Sequence, residues 1–330
     1  MLKSLKLRPL TMQSYEFPRN HCKNTFTKHT AFLCNYGIML TFAAVFSRQI
    51  RQTAIEMGIV IGIDVGISTT KIVGLKDGKV LSPTRITAAD PVTSLYGAFG
   101  KYLYDNGVSL SDVEQVMLTG VGSAYIDSRV YGLPTAKTEE FRADGLGARY
   151  ESQVDRSIVV SMGTGTSFVR CDGDSIEHIG GTGIGGGTLQ GLSKLLLSTS
   201  DIRQVSAMAM RGSLSNVNLL IGDISKRPLP GLPMEATASL FGKVASNATH
   251  EDIAQGLVFM VLQSIGSAAV LSSIGSDIRD FVLIGNLTLL PQCKDVYPAM
   301  EKLYHVRYHI PKYSEFCTAI GAALGYERNA

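Results

Sequence analysis

No two of the five cysteines (Cys22, Cys34, Cys171, Cys293, Cys317) form a CxxC pair, and their number is odd. That excludes a disulfide framework and a zinc-ligand cluster, and it fits a reducing compartment. Excess positive charge is missing from most of the chain. Residues 1–56 hold eight Lys and Arg against two acids, so from Met57 onward acids outnumber bases by three, although the whole chain carries a formal +3. The body therefore has no electrostatic footprint for nucleic acid. The apolar run Ala31–Phe46 has only 16 residues and is interrupted by Asn35, where a membrane span needs about 20. A Walker A phosphate loop is absent too, since Lys71, Lys101 and Lys243 lack the Gly-Lys-Ser/Thr context.

What is present begins at Met57. Residues 1–56 are rich in Asn, Thr, Phe and His and lack strand-and-turn alternation. Scarcity of acids leaves a cleaved presequence open. The preferred reading is that translation starts at Met57, directly before the first strand, and that the tail reflects start-site choice. The remaining length, with 34 glycines and 45% apolar residues, suits two domains.

From Met57 the chain states one plan twice. "IVIGIDVG" is a strand ending in a polar turn, followed by a hairpin with Asp77-Gly78 at its tip. "RSIVVSMG" is again a strand, followed by a hairpin with Asp172-Gly173 at its turn. Each half later sends another strand into glycine, at Val113–Ser123 and Arg279–Thr288. Helical segments are expected at 91–106, 138–153, 188–197, 205–211, 236–244 and the long apolar stretch 251–274, which reads as buried core or dimer interface. Duplicated strand-hairpin-helix-strand units predict two α/β domains related by a pseudo-twofold, 57–155 and 156–330, with ligand in the crevice at the carboxyl ends of the strands.

Three glycine-containing turns should line that crevice. In "VIGIDVGISTTKIVGL", Asp64 ends a strand and could hold Mg²⁺ through water, because Mg²⁺ keeps much of its hydration shell. Gly66 allows the turn, while the N–H groups of Ile67, Ser68, Thr69 and Thr70 and the ammonium of Lys71 could hold the β- and γ-phosphates of ATP. "GTGTS" (Gly163, Thr164, Gly165, Thr166, Ser167) offers a nest for anionic oxygens. "GGTGIGGGTLQGL" from Gly180 opens a helix, where free N–H groups and the positive end of the dipole would meet phosphate. Gly181-x-Gly183-x-x-Gly186 matches a dinucleotide fingerprint only formally, because it follows a hairpin instead of opening a βαβ unit. "TEEFRADG" reads as a helix start with Thr138 as N-cap. An acid at Glu140 there either complements the helix dipole or serves as a base in phosphoryl transfer. His250, His305 and His309 read as surface or loop residues.

Six pieces carry a resemblance: "GIDVGISTTKIV" (62–73), "EFRADGLG" (140–147), "VVSMGTGTSF" (159–168), "GGTGIGGGTLQGL" (180–192), "VLIGNLTLLP" (282–291) and "FCTAIGAALG" (316–325). In this order, across nearly all of 58–325, they resemble the type II pantothenate kinases of the acetate kinase, sugar kinase, heat-shock 70 and actin superfamily. The resemblance implies two ribonuclease H-like α/β domains in an actin-like ATPase fold with the nucleotide cleft between them. It implies a cytoplasmic homodimer that phosphorylates the primary hydroxyl of pantothenate with ATP and Mg²⁺, the first step toward coenzyme A, with no nucleic acid or membrane partner. By the same resemblance, Asp64 organises the metal, Lys71 binds phosphate and Glu140 is the catalytic base. Gly163, Thr164 and Gly165 form the second phosphate loop. Gly181, Gly183, Gly185, Gly186 and Gly187 stand beside the nucleotide. Thr164, Ser167 and His178 lie near pantothenate.

Two departures stand out. Ile67 occupies a usual glycine position, which requires it to keep φ negative. His178 stands near where relatives carry an arginine, and it is a poor bidentate clamp for a carboxylate. Three rivals follow from the same fold. A radical-dehydratase activator would need a cluster-binding cysteine in the glycine loop, which 180–191 lacks. A sugar kinase would show zinc cysteines or an acid-glycine-histidine motif, and neither is found. A nucleotide-binding regulator without turnover is the third.

Overall fold

In a computed structural model of the chain, residues 58–67, 69–87, 90–227 and 229–327 are described. The tail 1–56, the start-site reading at Met57, and Ser68 lie outside them.

The first half builds a six-stranded sheet. Strands β1 (Ile59–Val65), β2 (Thr69–Lys76), β3 (Lys79–Val80), β4 (Thr84–Thr87), β5 (Val113–Thr119) and β6 (Thr135–Lys137) run in the order β3-β2-β1-β5-β6, with β4 also on β2. The second sheet holds β7 (Arg156–Met162), β8 (Thr166–Asp172), β9 (Ser175–Thr182), β12 (Asp280–Ile284) and β13 (Arg307–His309), in the order β13-β12-β7-β8-β9. In both, a central first strand pairs antiparallel with the second and parallel with the later one. The duplication expected from the sequence is thus real at the level of strand order. β1 is buried along its whole length because both faces of its sheet are covered.

Local chemistry sets most boundaries. Asp77 and Gly78 both take positive φ, as a two-residue hairpin turn demands. The second hairpin slips by one: Asp172 pairs with Ser175, so its turn is Gly173-Asp174. Helix α1 (Pro91–Asn106) starts with the Asp90 side chain accepting from the Thr93 N–H and Pro91 in the first turn, and it ends on left-handed Gly107. The core of the second half is sheathed by α3 (Gly186–Leu197), α4 (Ile202–Ala209), α6 (His250–Ser272) and α7 (Cys293–Tyr304). Helix α6 is long and apolar enough to cross a membrane, but Leu257, Val258, Val261, Leu262 and Ile265 are buried in this core.

The helix expected at 236–244 does not form. Thr237–Ser239 becomes β11, paired with the short β10 (Leu219–Leu220). Phe241 then takes φ +54 and pushes its ring against Gly256 of α6. Burying that ring outweighs a weak helical pattern. A one-turn helix, α5 (Ile221–Ile224), precedes this segment.

Two helices occupy the space between the sheets. α2 (Glu140–Ser152) contacts β7, β8, β9 and β12, whereas α8 (Cys317–Leu324), near the end of the chain, contacts β1, β2 and β5 of the first sheet. They cross each other at their backbones. A Cβ at Gly147 would lie 1.8 Å from the Cys317 carbonyl oxygen, and one at Gly321 would lie 1.7 Å from that of Ala143. Only glycine permits so close an approach.

Candidate active site

The antiparallel register places Asp64 opposite Lys71, so both side chains leave the same face of the sheet. Lys71 therefore belongs to β2 and not to the turn. Its ammonium stands 3.4 Å from Asp64 Oδ2, and both residues are buried. Gly120, just past β5, takes φ +83, and a Cβ there would sit 2.6 Å from Asp64 Oδ1. The end of β5 thus makes the space that the Asp64 carboxylate fills.

Ile67 is absent from the positive-φ residues, as its β-branch requires. The Thr70 side chain is fully buried, and the Ser94 hydroxyl of α1 donates to its hydroxyl at 2.7 Å, so that side chain braces sheet to helix and does not line the cavities.

The glycine loops also differ from expectation. Gly180 and Gly181 still belong to β9; the loop proper is Gly183–Gly185. Gly186 and Gly187 donate their N–H groups to the carbonyls of Gly163 and Thr164, each at 2.9 Å. The first donors of α3 are thus spent on the neighbouring loop and are not free for phosphate. A Cβ on Gly185 would lie 2.5 Å from the Thr164 oxygen, and one on Gly181 would lie 2.7 Å from the Thr166 oxygen. Glycine density at these positions serves loop-on-loop packing. The N–H groups of Thr164 and Gly165 donate to no protein acceptor among the described residues, so they are available to a ligand.

Two cavities meet at that loop. The first, about 490 Å³, is lined by Asp64, Gly66, Ile67, Thr69, Lys71 and Glu140, and further round by Gly163–Ser167, His178 and Gly181. The second, about 700 Å³, is lined by Gly163, Thr164, Gly186, Gly187 and Gln190, with apolar Ile202, Met210 and Leu290. Thr69, Gly163, Thr164 and Asn286 line both. Gly183 and Gly185 line neither. The structure therefore brings together Asp64, Gly66, Thr69, Lys71, Glu140, Gly163, Thr164, Gly165, Ser167, His178 and Gly181, with Gly186 and Gly187 on the adjoining wall.

Glu140 opens α2, but the N-cap is Glu139 and not Thr138. The Glu139 carboxylate accepts from the N–H groups of Phe141 and Arg142. That frees Glu140 to face the cavity. Burial raises its pKa first, the negative charges of Asp64 and Glu139 add to this, and Lys71 opposes it.

A bulge in β9 at Ile179 shifts the register between Val169–His178 and Phe168–Gly180. His178 there stacks on Phe141, with ring centroids 3.9 Å apart and planes 6° from parallel. Phe141, Ser161, Asn286 and Thr318 also line the site and were not singled out from the sequence. Asp144, one turn after Glu140, was not singled out either; it is fully buried and lines neither cavity. Thr318 of α8 donates to its Oδ1 at 2.6 Å.

Residues 135–297 match the family model described as Fumble. The type II pantothenate kinase of Bacillus cereus (strain AH820) is 30% identical over 217 residues, which is 62% of this chain and 75% of that enzyme. The type II pantothenate kinase of Staphylococcus aureus (strain USA300) is 32% identical over 190 residues, 56% of this chain and 66% of that one. Two solved structures share the fold. The activator of 2-hydroxyisocaproyl-CoA dehydratase from Clostridium difficile with bound ADPNP has a TM-score of 0.59 at 17% identity, covering 81% of this chain and 93% of its own. A ROK family glucokinase from Streptomyces griseus in complex with glucose and AMPPNP has a TM-score of 0.53 at 13% identity, covering 81% and 98%. Two sheets of identical strand order, the cavities between them and these relatives agree: the chain is an actin-like ATPase-fold kinase for a small molecule and belongs to the type II pantothenate kinase family.

Proposed function

We propose that this chain transfers the γ-phosphoryl group of ATP to the primary hydroxyl of pantothenate. The observation that carries this reading is the shared wall of the two cavities. Thr164 stands between a larger chamber, with room for a nucleoside beside Ile202, Met210 and Leu290, and a smaller one holding Lys71, Asp64 and Glu140. A γ-phosphate lying along Gly163–Gly165 would face Glu140 across the smaller chamber. Phosphoryl transfer needs mainly positioning, charge neutralisation and one carboxylate to accept the hydroxyl proton. Glu140 supplies the last, and the N–H groups of the loop and Lys71 supply the first two. The Asp64 carboxylate, in the space left by Gly120, is a hard oxygen donor that suits Mg²⁺ through water, and the ion would neutralise phosphate charge when bound. The homodimer and the two lobes 57–155 and 156–330 implied by the resemblance belong to the same proposal. Cys171, Cys293 and Cys317 are buried, which disfavours the dehydratase-activator reading.

Lys71→Ala is expected to weaken ATP by about 10–100-fold, the size of a lost charge-assisted hydrogen bond, and to leave adenosine unchanged. Calorimetric titration of both ligands checks this, with Tm measured because Asp64 loses its partner. Equal losses for ATP and adenosine would place Lys71 away from the phosphates.

His178→Arg should lower KM for pantothenate and leave KM for pantetheine, which lacks the carboxylate, unchanged. An equal effect on both would mean that the carboxylate does not face residue 178.

A further inference from the structure

Asp144 is an acid in a place where acids are costly. It is 1% exposed on α2, where a carboxyl is stable only if it is paired or protonated. Oδ1 receives the Thr318 hydroxyl of α8, while Oδ2 has no hydrogen-bond partner among the described residues. It stands four positions after Glu140, so both carboxyls lie on one helix face. From the surrounding elements it is faced by Asp64 of β1, Cys171 of β8, Cys317 of α8 and Ser161 of β7, with Glu140 on its own helix. Lys71, which approaches Glu140 and Cys317, is the cation of this neighbourhood, and it is already paired with Asp64.

We propose that Asp144 is a positioning residue for the base: as a neutral carboxyl it ties α2 to α8 through Thr318, fixing where Glu140 stands without adding charge to the site. This rests on the kinase reading of Glu140. Neutrality is what the surroundings favour. Burial pushes the Asp144 pKa up, the Thr318 bond works against that, and the charges of Glu140 and Asp64 add to it, to about 7. Ionised, Asp144 would put a further negative charge behind Glu140 and Asp64, where an incoming polyphosphate must approach. The free enzyme should then lose kcat/KM for ATP as pH rises through Asp144's ionisation, roughly fivefold from about pH 7 to about pH 8. Substrate binding would drive the proton back on, so kcat should be less affected.

The test compares three variants with the wild type. Asp144→Asn keeps the shape and the Thr318 bond but cannot ionise, so the alkaline fall in kcat/KM should vanish. Thr318→Val removes a donor that favours the charged form, so the fall should move to higher pH. Asp144→Ala loses the tie and should lower kcat by about tenfold with little change in KM for ATP. A purely structural role for Asp144 would leave the pH profile of all three unaltered.

Thermal stability of the ligand-free protein provides a readout that does not depend on the reaction. A carboxyl whose folded pKa lies above its unfolded value stabilises fully only below about pH 4, and that contribution is lost as pH rises toward about 7. The Tm of Asp144→Asn relative to wild type should therefore rise between about pH 4 and about pH 7 and level off above. A wild-type alkaline limb in Asp144→Asn, wild-type kcat in Asp144→Ala, or a Tm difference flat with pH would each overturn the proposal. If the protein phosphorylates no pantothenate, the Tm comparison still reports on Asp144, so the two failures are distinguishable.

Discussion

Replacing Glu140 by glutamine is expected to lower kcat by about 10²–10⁴-fold with ATP affinity nearly unchanged, the usual effect of removing general-base help. The side chain faces the smaller cavity from the first turn of α2, across from the Gly163–Gly165 loop. A glutamine of the same shape still fills that space but cannot take the hydroxyl proton. Because Glu140 must be ionised to act, and its pKa is raised, the acid limb of the rate profile should lie above the ordinary glutamate range. Glu139→Gln is the matched control. Glu139 is exposed and caps the helix with its carboxylate, so its loss should cost about 1 kcal/mol of stability or less and leave turnover close to wild type. Steady-state kcat and ATP binding on both variants decide this. A dead Glu139→Gln with an active Glu140→Gln would exchange the two roles, and full activity in both would reduce Glu140 to a partner of its helix dipole.

Gly147→Ala and Gly321→Ala should each destabilise the fold by about 3 kcal/mol or more, a Tm loss on the order of 10 °C. At both positions the new methyl would meet a backbone carbonyl of the crossing helix at less than 2 Å. No rotamer change relieves such a clash, so α2 and α8 must move apart. Since α2 carries Glu140, turnover should fall even at temperatures where the variants are folded. Gly97→Ala provides the contrast. Gly97 lies inside α1 with nothing within 4 Å of its would-be Cβ, so alanine there should stabilise by up to about 1 kcal/mol. Calorimetric Tm values for the three variants test the crossing directly; little loss at Gly147 and Gly321 would mean the helices are not packed backbone to backbone.

Much of this was legible in the sequence because the site is built at chain reversals. Strands running into glycine at Gly66, Gly120, Gly163 and Gly285 mark the carboxyl ends of both sheets, and Asp64 and Lys71 flank one of them. The α2–α8 crossing was not legible. Its contact residues are Ala143, Gly147, Cys317 and Gly321, small residues with no apolar periodicity, and they lie far apart in the chain. Asp144 looks like a surface acid in "FRADG" and is internal only because α8 covers it. The glycine run from Gly180 suggested phosphate contacts, yet most of its glycines exist so that one loop can lie on another. Helix α7 escaped notice because Pro298 interrupts its pattern, and the 236–244 segment looked helical until Phe241 was needed in the core.

The central claim, ATP-dependent phosphorylation of pantothenate, is tested most directly by incubating the purified protein with γ-labelled ATP, Mg²⁺ and pantothenate and identifying the labelled product by mass. The expected result is 4′-phosphopantothenate formed in step with ADP, lost in Glu140→Gln. ADP release that pantothenate neither increases nor converts into a phosphorylated product would contradict the assignment.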